Sequence, residues 1–425
     1  MALAYGAFVA GFHWLVGSRV LQFFTFHGAH HIGDFAYHVL LARGFWFEDH
    51  VGIYRFAVQQ QMLGELFGAK DAHAMPPAVL PTFLVVYYPF AFVARRSISF
   101  AYSWWTSTWL FLAAGVLWKV RLSARRWQEP AVLLLGAIVL SSDVFYRTVA
   151  LGQTSVCAVS LFVLVYRITA RPREALSRPS ALLVWLLVLV ASMKPPYLVV
   201  ASIVLLANRR FGLLTGALSL AAVTLLALTV RLGTGWPLEY VLSLANHLGV
   251  AVKEEYRPSL VGPTMNIFRY AFADALGEAA AYRISLALFI AGWLALGSRV
   301  LRAALREAPD EGMALSALCE SIALFLLLAP YSGSYEDLQI VAILALVPVT
   351  QPVPRVALAA VAIALFLVLN YVPFRDTLRP EVLWLVKAAL LGTLAGIARR
   401  SLQGDDGGAE FSPPRRISTS AVSSV

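Results

Sequence analysis

The length of the apolar blocks limits most strongly what this chain can fold into. Stretches such as "ALLVWLLVLVASM" and "VALAAVAIALFLVLNYV" recur along its 425 residues. A helix needs about 20 predominantly apolar residues to cross the hydrocarbon core of a bilayer, and about a dozen blocks approach that size. Hydrophobic residues make up 59% of the chain and charged residues 14%, against about 25% charged in soluble domains. The expected fold is therefore all-α: a polytopic transmembrane helical bundle with about 11–13 membrane segments. Candidate spans are 2–26, 76–94, 99–119, 130–149, 154–169, 180–194, 196–208, 212–231, 283–298, 313–330, 337–350, 355–373 and 381–398.

The charges are placed as membrane topology would place them. A net charge of +10 would suggest nucleic acid in a soluble protein. Here the arginines sit at block ends, where they set orientation, and no nucleic-acid motif accompanies them. Arg121, Arg125 and Arg126, then Arg167, Arg171, Arg173 and Arg178, then Arg209 and Arg210, then Arg299, Arg302 and Arg306, then Arg399 and Arg400 can share the cytoplasmic side if 180–208 is two short helices. The first block has no basic residue before it and ends in no small-x-small site, so it reads as a retained span. Cys157 and Cys319 lie in apolar blocks, with no spacing for a disulfide framework or a metal. No cofactor motif is found.

Two connecting segments are long, 27–75 and 232–282, and the arginine pattern puts both outside. The first is expected to be a large outer loop of interfacial helices. In "IYRFAVQQQMLGELFG", Phe56, Val58, Met62, Leu63, Leu66 and Phe67 recur at helical spacing, with Gln59, Gln60 and Glu65 between them. With 27–75 outside, 76–94 and 99–119 cannot both be simple spans. Pro76, Pro77, Pro81 and Pro89 make 76–94 the broken or re-entrant one. Residues 1–400 read as one membrane domain. The Gly-, Ser- and Pro-rich 401–425 reads as a disordered cytoplasmic tail.

Five polar constellations interrupt this apolar pattern. "HHIGDFAYHVLLARG" brings Asp34 beside His30, His31 and His38. Asp34 reads either as a helix N-cap or as a general base at the membrane surface. His31 and Tyr37 are candidate substrate contacts nearby. "LGQTS" places Gln153 after Gly152, a residue that permits a tight turn; it is either a polar interfacial turn or a substrate contact. "MKPPYL" puts Lys194 between apolar blocks, with a proline pair that breaks the helix. That lysine either snorkels to the interface or holds a phosphate as a point charge. "LAPYSGSYEDLQIV" carries Tyr331, Tyr335, Glu336 and Asp337, a set suited to sugar hydroxyls or an ordinary solvated turn. "RPSLVGPTMNIFRYAF" carries Arg257, Asn266 and Arg269, which can face an anionic substrate.

In this order, the set resembles glycosyltransferase family 87, polyprenol-phosphate-sugar-dependent integral-membrane enzymes of the GT-C class, formerly a domain of unknown function. The resemblance covers roughly residues 20–345 and rests on "GDFAYHVLLARG", "YRFAVQQQMLGELFG", "MPPAVLPTFLVVYYPF", Gly152–Gln153, Lys194–Pro195 with Arg209 and Arg210, and "PYSGSYEDL". Three positions depart from the family pattern: Met75 stands before the proline pair, Thr154 follows the Gly-Gln turn, and an extra residue leaves Glu336 and Asp337 both standing for one acidic position. The resemblance implies a plasma-membrane enzyme moving a sugar from a polyprenyl-phosphate donor to a lipid or glycan acceptor on the outer face, with Asp34 as base and inversion at the anomeric carbon. Its implied partners are that donor, that acceptor and membrane lipids, with no nucleic acid and no metal. A lipid-linked-sugar transporter or flippase, or a non-catalytic scaffold, would share the apolar blocks. The absence of an inverted repeat argues against the transporter.

Overall fold

The computed structural model describes residues 2–14, 34–67, 79–123, 136–172, 176–253, 275, 277–306, 311–329, 334–347, 352–369 and 380–403. Among them the regular structure is helical throughout, without strands. The helices are α1 (Ala2–Phe12), α2 (Asp34–Phe47), α3 (Phe56–Phe67), α4 (Phe83–Ala94), α5 (Ile98–Ser123), α6 (Asp143–Leu151), α7 (Ser155–Thr169), α8 (Arg178–Ala191) and α9 (Pro195–Ala207). There follow α10 (Phe211–Leu232), α11 (Trp236–Lys253), α12 (Glu278–Arg306), α13 (Glu311–Leu328), a 3-10 turn (Ser334–Gln339), α14 (Ile340–Leu346), α15 (Pro352–Ile363), continued as a π-turn over Ala364–Val368, and α16 (Pro380–Gln403).

Helix α7 is the hub. It packs against α5, α8, α9, α14 and the 3-10 turn, and Ser155–Val163 is buried without a break. A helix apolar on every face belongs inside, and "SVCAVSLFVLV" is one. Around α7 lies the larger apolar cluster, which draws on Val144, Phe162, Val188, Leu205, Leu318, Ile343 and Leu394, among others. A second cluster joins α2, α4 and α5 through Phe35, Leu40, Phe83, Tyr87, Tyr102 and Trp105.

The number of spans differs from the sequence expectation. Two helices among the described residues, Phe211–Leu232 and Arg283–Arg306, are long and apolar enough to cross a membrane; a third span results if the bent pair α6–α7 is counted as one. Both long helices expose apolar side chains, among them Val223, Leu226 and Val230 on α10 and Leu294 and Leu305 on α12. Most other expected spans are shorter apolar helices. At 1.5 Å per residue, the 15 residues of α7 reach about 22 Å, short of a core about 30 Å thick. Blocks 130–149 and 154–169, separate spans by sequence, hold helices joined through a 102° bend. In the described part of the proline-rich block 76–94, which begins at Val79, the helix starts at Phe83 and contains Pro89.

The segment read as a first outer loop is not a layer of surface helices: in α2, Phe35–Ala42 are all buried, and α2 packs chiefly on α4. On α3 the inner face takes only part of the expected apolar stripe. Phe56 is exposed, whereas Gln59 and Met62 are buried. Gln59 can face inward because both ends of its amide are paired: it accepts from Tyr37 Oη at 2.8 Å and donates to the Ile53 carbonyl at 2.7 Å. The C-terminal helix runs to Gln403, three residues into the segment read as a tail; 404–425 lie outside the described residues.

Arg210 is not a surface charge. It is buried and donates to the carbonyls of Thr169 and Arg171, while Asn208 donates to Thr169 Oγ1 at 2.9 Å. Arg210 thereby serves carbonyls at and just past the C-terminus of α7, where helical partners run out, and Asn208 holds the Thr169 hydroxyl beside them. One end of α7 is therefore arginine-rich, and the other carries the polar cluster described next.

Candidate functional site

The bend between α6 and α7 places the first site residue. Gly152 ends α6 with φ of 62°, a left-handed conformation that costs an L-residue about 1–2 kcal/mol. The Gln153 amide donates to the Thr148 carbonyl at 2.9 Å and the Gly152 amide to Val149 at 3.1 Å, the Schellman pattern of a helix end. Helix α5 takes up carbonyls that the break frees: Tyr102 Oη donates to Val149 at 2.5 Å, and Trp105 Nε1 donates to Gly152 at 3.1 Å. A Cβ on Gly152 would stand 2.5 Å from Phe35 Cβ. Glycine thus lets the bend lie directly on the first turn of α2, and Gln153 Nε2 donates to Asp34 Oδ2.

Lys194 is placed by a second break. Helix α8 ends at Ala191, and Pro195 and Pro196 open α9, where proline loses no helical hydrogen bond. Lys194 is the residue before that helix. The Leu80 amide donates to the Met193 carbonyl at 2.8 Å, which ties the start of the α4 segment to the same break.

Glu336 joins the two breaks. Lys194 Nζ meets Glu336 Oε1 at 2.7 Å. Glu336 Oε2 accepts from Tyr197 Oη at 2.5 Å, Gln339 Nε2 at 2.7 Å and Ser155 Oγ at 3.1 Å. Ser155 is in the first turn of α7 and Tyr197 in the first turn of α9, so two helix N-termini, each with partial positive charge, flank this carboxylate. The links Gln153–Asp34, Lys194–Glu336 and Ser155–Glu336 span 119, 142 and 181 residues of sequence.

Asp34 is partly exposed at the edge of this cluster. Burial pushes its carboxyl up; the positive charge of Lys194 and the Gln153 amide pull it down, and the Glu336 charge raises it again. A carboxylate lifted by desolvation is a stronger base. As the first residue of α2 it also sits where a helix start favours negative charge, so both sequence readings of Asp34 are compatible with its position.

The expected site residues divide into three groups. Asp34, Gln153, Lys194 and Glu336 come together. Tyr37 and Asp337 do not. The Tyr37 hydroxyl is committed to Gln59 inside the α2–α3 contact. Asp337 points the opposite way from Glu336, into the core, where Lys387 Nζ meets its Oδ1 at 2.6 Å. Successive residues of a tight 3-10 turn point to different sides, so only one of the two acids can face the site. His31, Arg257, Asn266, Arg269 and Tyr331 lie outside the described residues, as does the side chain of Tyr335.

Sequence reading missed Ser155, Tyr197, Gln339 and Lys387. The first three carried a signal, since each stands inside one of the quoted motifs, "LGQTS", "MKPPYL" and "LAPYSGSYEDLQIV". Lys387 carried a stronger one, a lysine inside an apolar block. Tyr87 is a further omission. It is 1% exposed, its hydroxyl has no hydrogen-bond partner among the described residues, and it lies within electrostatic reach of Asp34 and Cys157.

Among the described residues no group of His, Cys, Asp and Glu has the arrangement of a metal site. No protein-family model matches the chain, and no curated protein or solved structure does.

Proposed function

We propose that this chain is a membrane glycosyltransferase that moves a sugar from a polyprenyl-phosphate donor to a lipid or glycan acceptor, with Asp34 as general base. The observation that carries this reading is the meeting of a partly exposed, Gln153-held carboxylate with Lys194 at the first turns of α7 and α9. The acceptor hydroxyl gives its proton to Asp34, its oxygen bonds to the anomeric carbon, and the carbon–oxygen bond to the lipid phosphate breaks. Polyprenyl phosphate leaves with the bonding pair, and a single displacement inverts the anomeric centre. A phosphate leaving group needs positive charge close by, which Lys194 and two helix N-termini supply. In this reading the chain is a multi-pass GT-C-type bundle of the plasma membrane, and the site faces the outer leaflet, opposite the arginine-rich end of α7.

The test is transfer or donor hydrolysis by the purified protein with labelled polyprenyl-phosphate sugars. Product formation above an Asp34→Asn control is expected. Absence of both transfer and hydrolysis across mannosyl and arabinosyl donors would remove the enzyme reading. The second reading, a lipid-linked-sugar transporter, draws on the bend between α6 and α7 and on the buried Lys387–Asp337 pair, since broken helices and buried charge mark transporter sites. It expects translocation in sealed vesicles with no cleavage of the sugar–phosphate bond.

A further inference from the structure

We infer that Glu336 is an internal counter-ion which competes with an anionic ligand for Lys194, so that binding of a phosphate monoester opens the Lys194–Glu336 pair. This rests on the reading above only in expecting a phosphate-bearing ligand: in that reading the monoester dianion is the polyprenyl phosphate that leaves, whereas the intact donor is a singly charged phosphodiester.

The argument starts from how the two oxygens of Glu336 are used. Oε2 accepts from three neutral donors, Tyr197, Gln339 and Ser155. Oε1 meets Lys194. Releasing the lysine would thus leave Glu336 held by three hydrogen bonds and flanked by two helix N-termini, rather than as a bare buried charge. The lysine is the more accessible partner: its side chain is 17% exposed and that of Glu336 4%. The pair is therefore reached by a ligand from the Lys194 side.

Charge favours the competition. The described cluster contains two carboxylates, Asp34 and Glu336, and one lysine whose charge acts on Asp34 as well. A lysine already neutralised by Glu336 has little left for a phosphate. An incoming dianion can engage it fully only by drawing Nζ away from Oε1. Glu336 then remains on Ser155, Tyr197 and Gln339, and Asp34 keeps its Gln153 contact. The pair holds the site closed to weak anions and yields to a doubly charged one.

The test uses the full chain in nanodiscs with farnesyl phosphate, farnesol as the uncharged control, and inorganic phosphate to separate headgroup from lipid recognition. Glu336→Gln keeps an oxygen for the three neutral donors and removes the charge that holds the lysine. It should bind farnesyl phosphate about tenfold tighter or more, a difference of about 1.4 kcal/mol. Lys194→Met should abolish that gain when combined with Glu336→Gln. Farnesol affinity should not change in any variant. Inorganic phosphate that shows the same ranking assigns recognition to the headgroup; no effect of inorganic phosphate assigns it to the phosphate presented on a lipid, and both keep the competition. Equal or weaker farnesyl phosphate binding by Glu336→Gln overturns the inference, as does a tenfold gain that survives Lys194→Met. Should the variant not fold, infrared difference spectra of the unaltered protein labelled with 13C-glutamate decide the matter. A shift of the glutamate carboxylate stretch on farnesyl phosphate binding is expected, and its absence is fatal. These readouts need no turnover, so failure of sugar transfer and failure of the competition are separate results.

Discussion

Glu336 and Asp337 are neighbours on one 3-10 turn, yet each meets its lysine in a different setting. Glu336 shares its charge among Lys194, Tyr197, Ser155 and Gln339, at a place where Lys194 retains some exposure. Asp337 meets Lys387 with both side chains 1% exposed. Leu338 in the turn, Ile340 just after it, and Leu383 and Leu391 on α16 belong to the surrounding apolar cluster. Moving two charges into such a setting costs several kcal/mol per ion, and close pairing with good geometry must offset that cost. The contrast teaches that burial alone does not mark a functional charge. The dry pair pins α16 to the turn. The shared, reachable pair can change partners without stranding a charge.

The largest effect should come from breaking the dry pair. Lys387→Met leaves Asp337 without its lysine in the core and should lower stability by about 3–5 kcal/mol, the range for removing one member of a buried pair. Lys387→Met combined with Asp337→Leu should recover most of the loss. Lys194→Met should cost clearly less, because Glu336 keeps three donors. Unfolding in mixed micelles of detergent and SDS measures all three. If Lys194→Met costs as much as Lys387→Met, the two pairs are equivalent and the contrast is wrong.

Next in size is the loss of the base. Asp34→Asn can still cap α2, since Asn caps about as well as Asp, and it can still accept from Gln153. It cannot take a proton near neutral pH. Turnover should fall about 10²-fold or more, equivalent to about 2.7 kcal/mol of barrier, at unchanged expression and fold. Transfer rates at matched stability measure it, and near-normal turnover would return Asp34 to a capping role alone.

A smaller effect is expected at the bend. Gly152→Ala adds a methyl group in a left-handed conformation and within 2.5 Å of Phe35 Cβ. The conformation alone costs about 1–2 kcal/mol, and relief of the contact moves Phe35 away from Gln153. Stability and turnover should both fall, whereas Gly136→Ala, with open space around it, should change neither. A Gly152→Ala variant with full stability would mean that the bend does not need its glycine.

How legible all this was in the sequence depends on the range of the forces involved. Helix content followed from local apolarity. The breaks at Gly152 and at Lys194–Pro195 followed from local backbone chemistry, because a positive φ and a proline pair leave a signature within a few residues. Among the described residues two or three helices reach spanning length, and block length in sequence overlooks helix ends set by tertiary contacts, such as the donors from Tyr102 and Trp105 that stabilise the end of α6. The inward turn of Gln59 was hidden for the same reason: its partners, the Tyr37 hydroxyl and the Ile53 carbonyl, come from outside its own helix. The site was half legible. Polar residues in apolar surroundings announced Asp34, Gln153, Lys194 and the Glu336–Asp337 pair, but which acid faces inward is decided by the register of one 3-10 turn. Lys387 shows that a residue with the right signal is passed over when no motif surrounds it.

The smallest expected effect tests whether Asp34 is as desolvated as its position implies. Burial raises its carboxyl above the usual 3.8, with Lys194 and Gln153 offsetting part of the rise. A carboxyl raised on folding favours the folded state most when protonated, so its contribution is fully present below the unfolded value and is lost as pH rises through the folded one. Asp34→Asn carries no such penalty. The Asn variant should therefore be slightly more stable than the unaltered chain at pH 7, and the advantage should fade as the pH is lowered toward 3.8. Because Asp34 is partly exposed, solvent screens the interaction and the gain stays well below the cost of Lys387→Met. Thermal unfolding of both proteins across that range measures it. An Asn variant less stable at pH 7, with a deficit that shrinks in acid, would mean that Lys194 and Gln153 outweigh burial. The Asp34 carboxylate would then be held by its partners, as Glu336 is, and the site would contain two stabilised anions instead of one stabilised anion and one base.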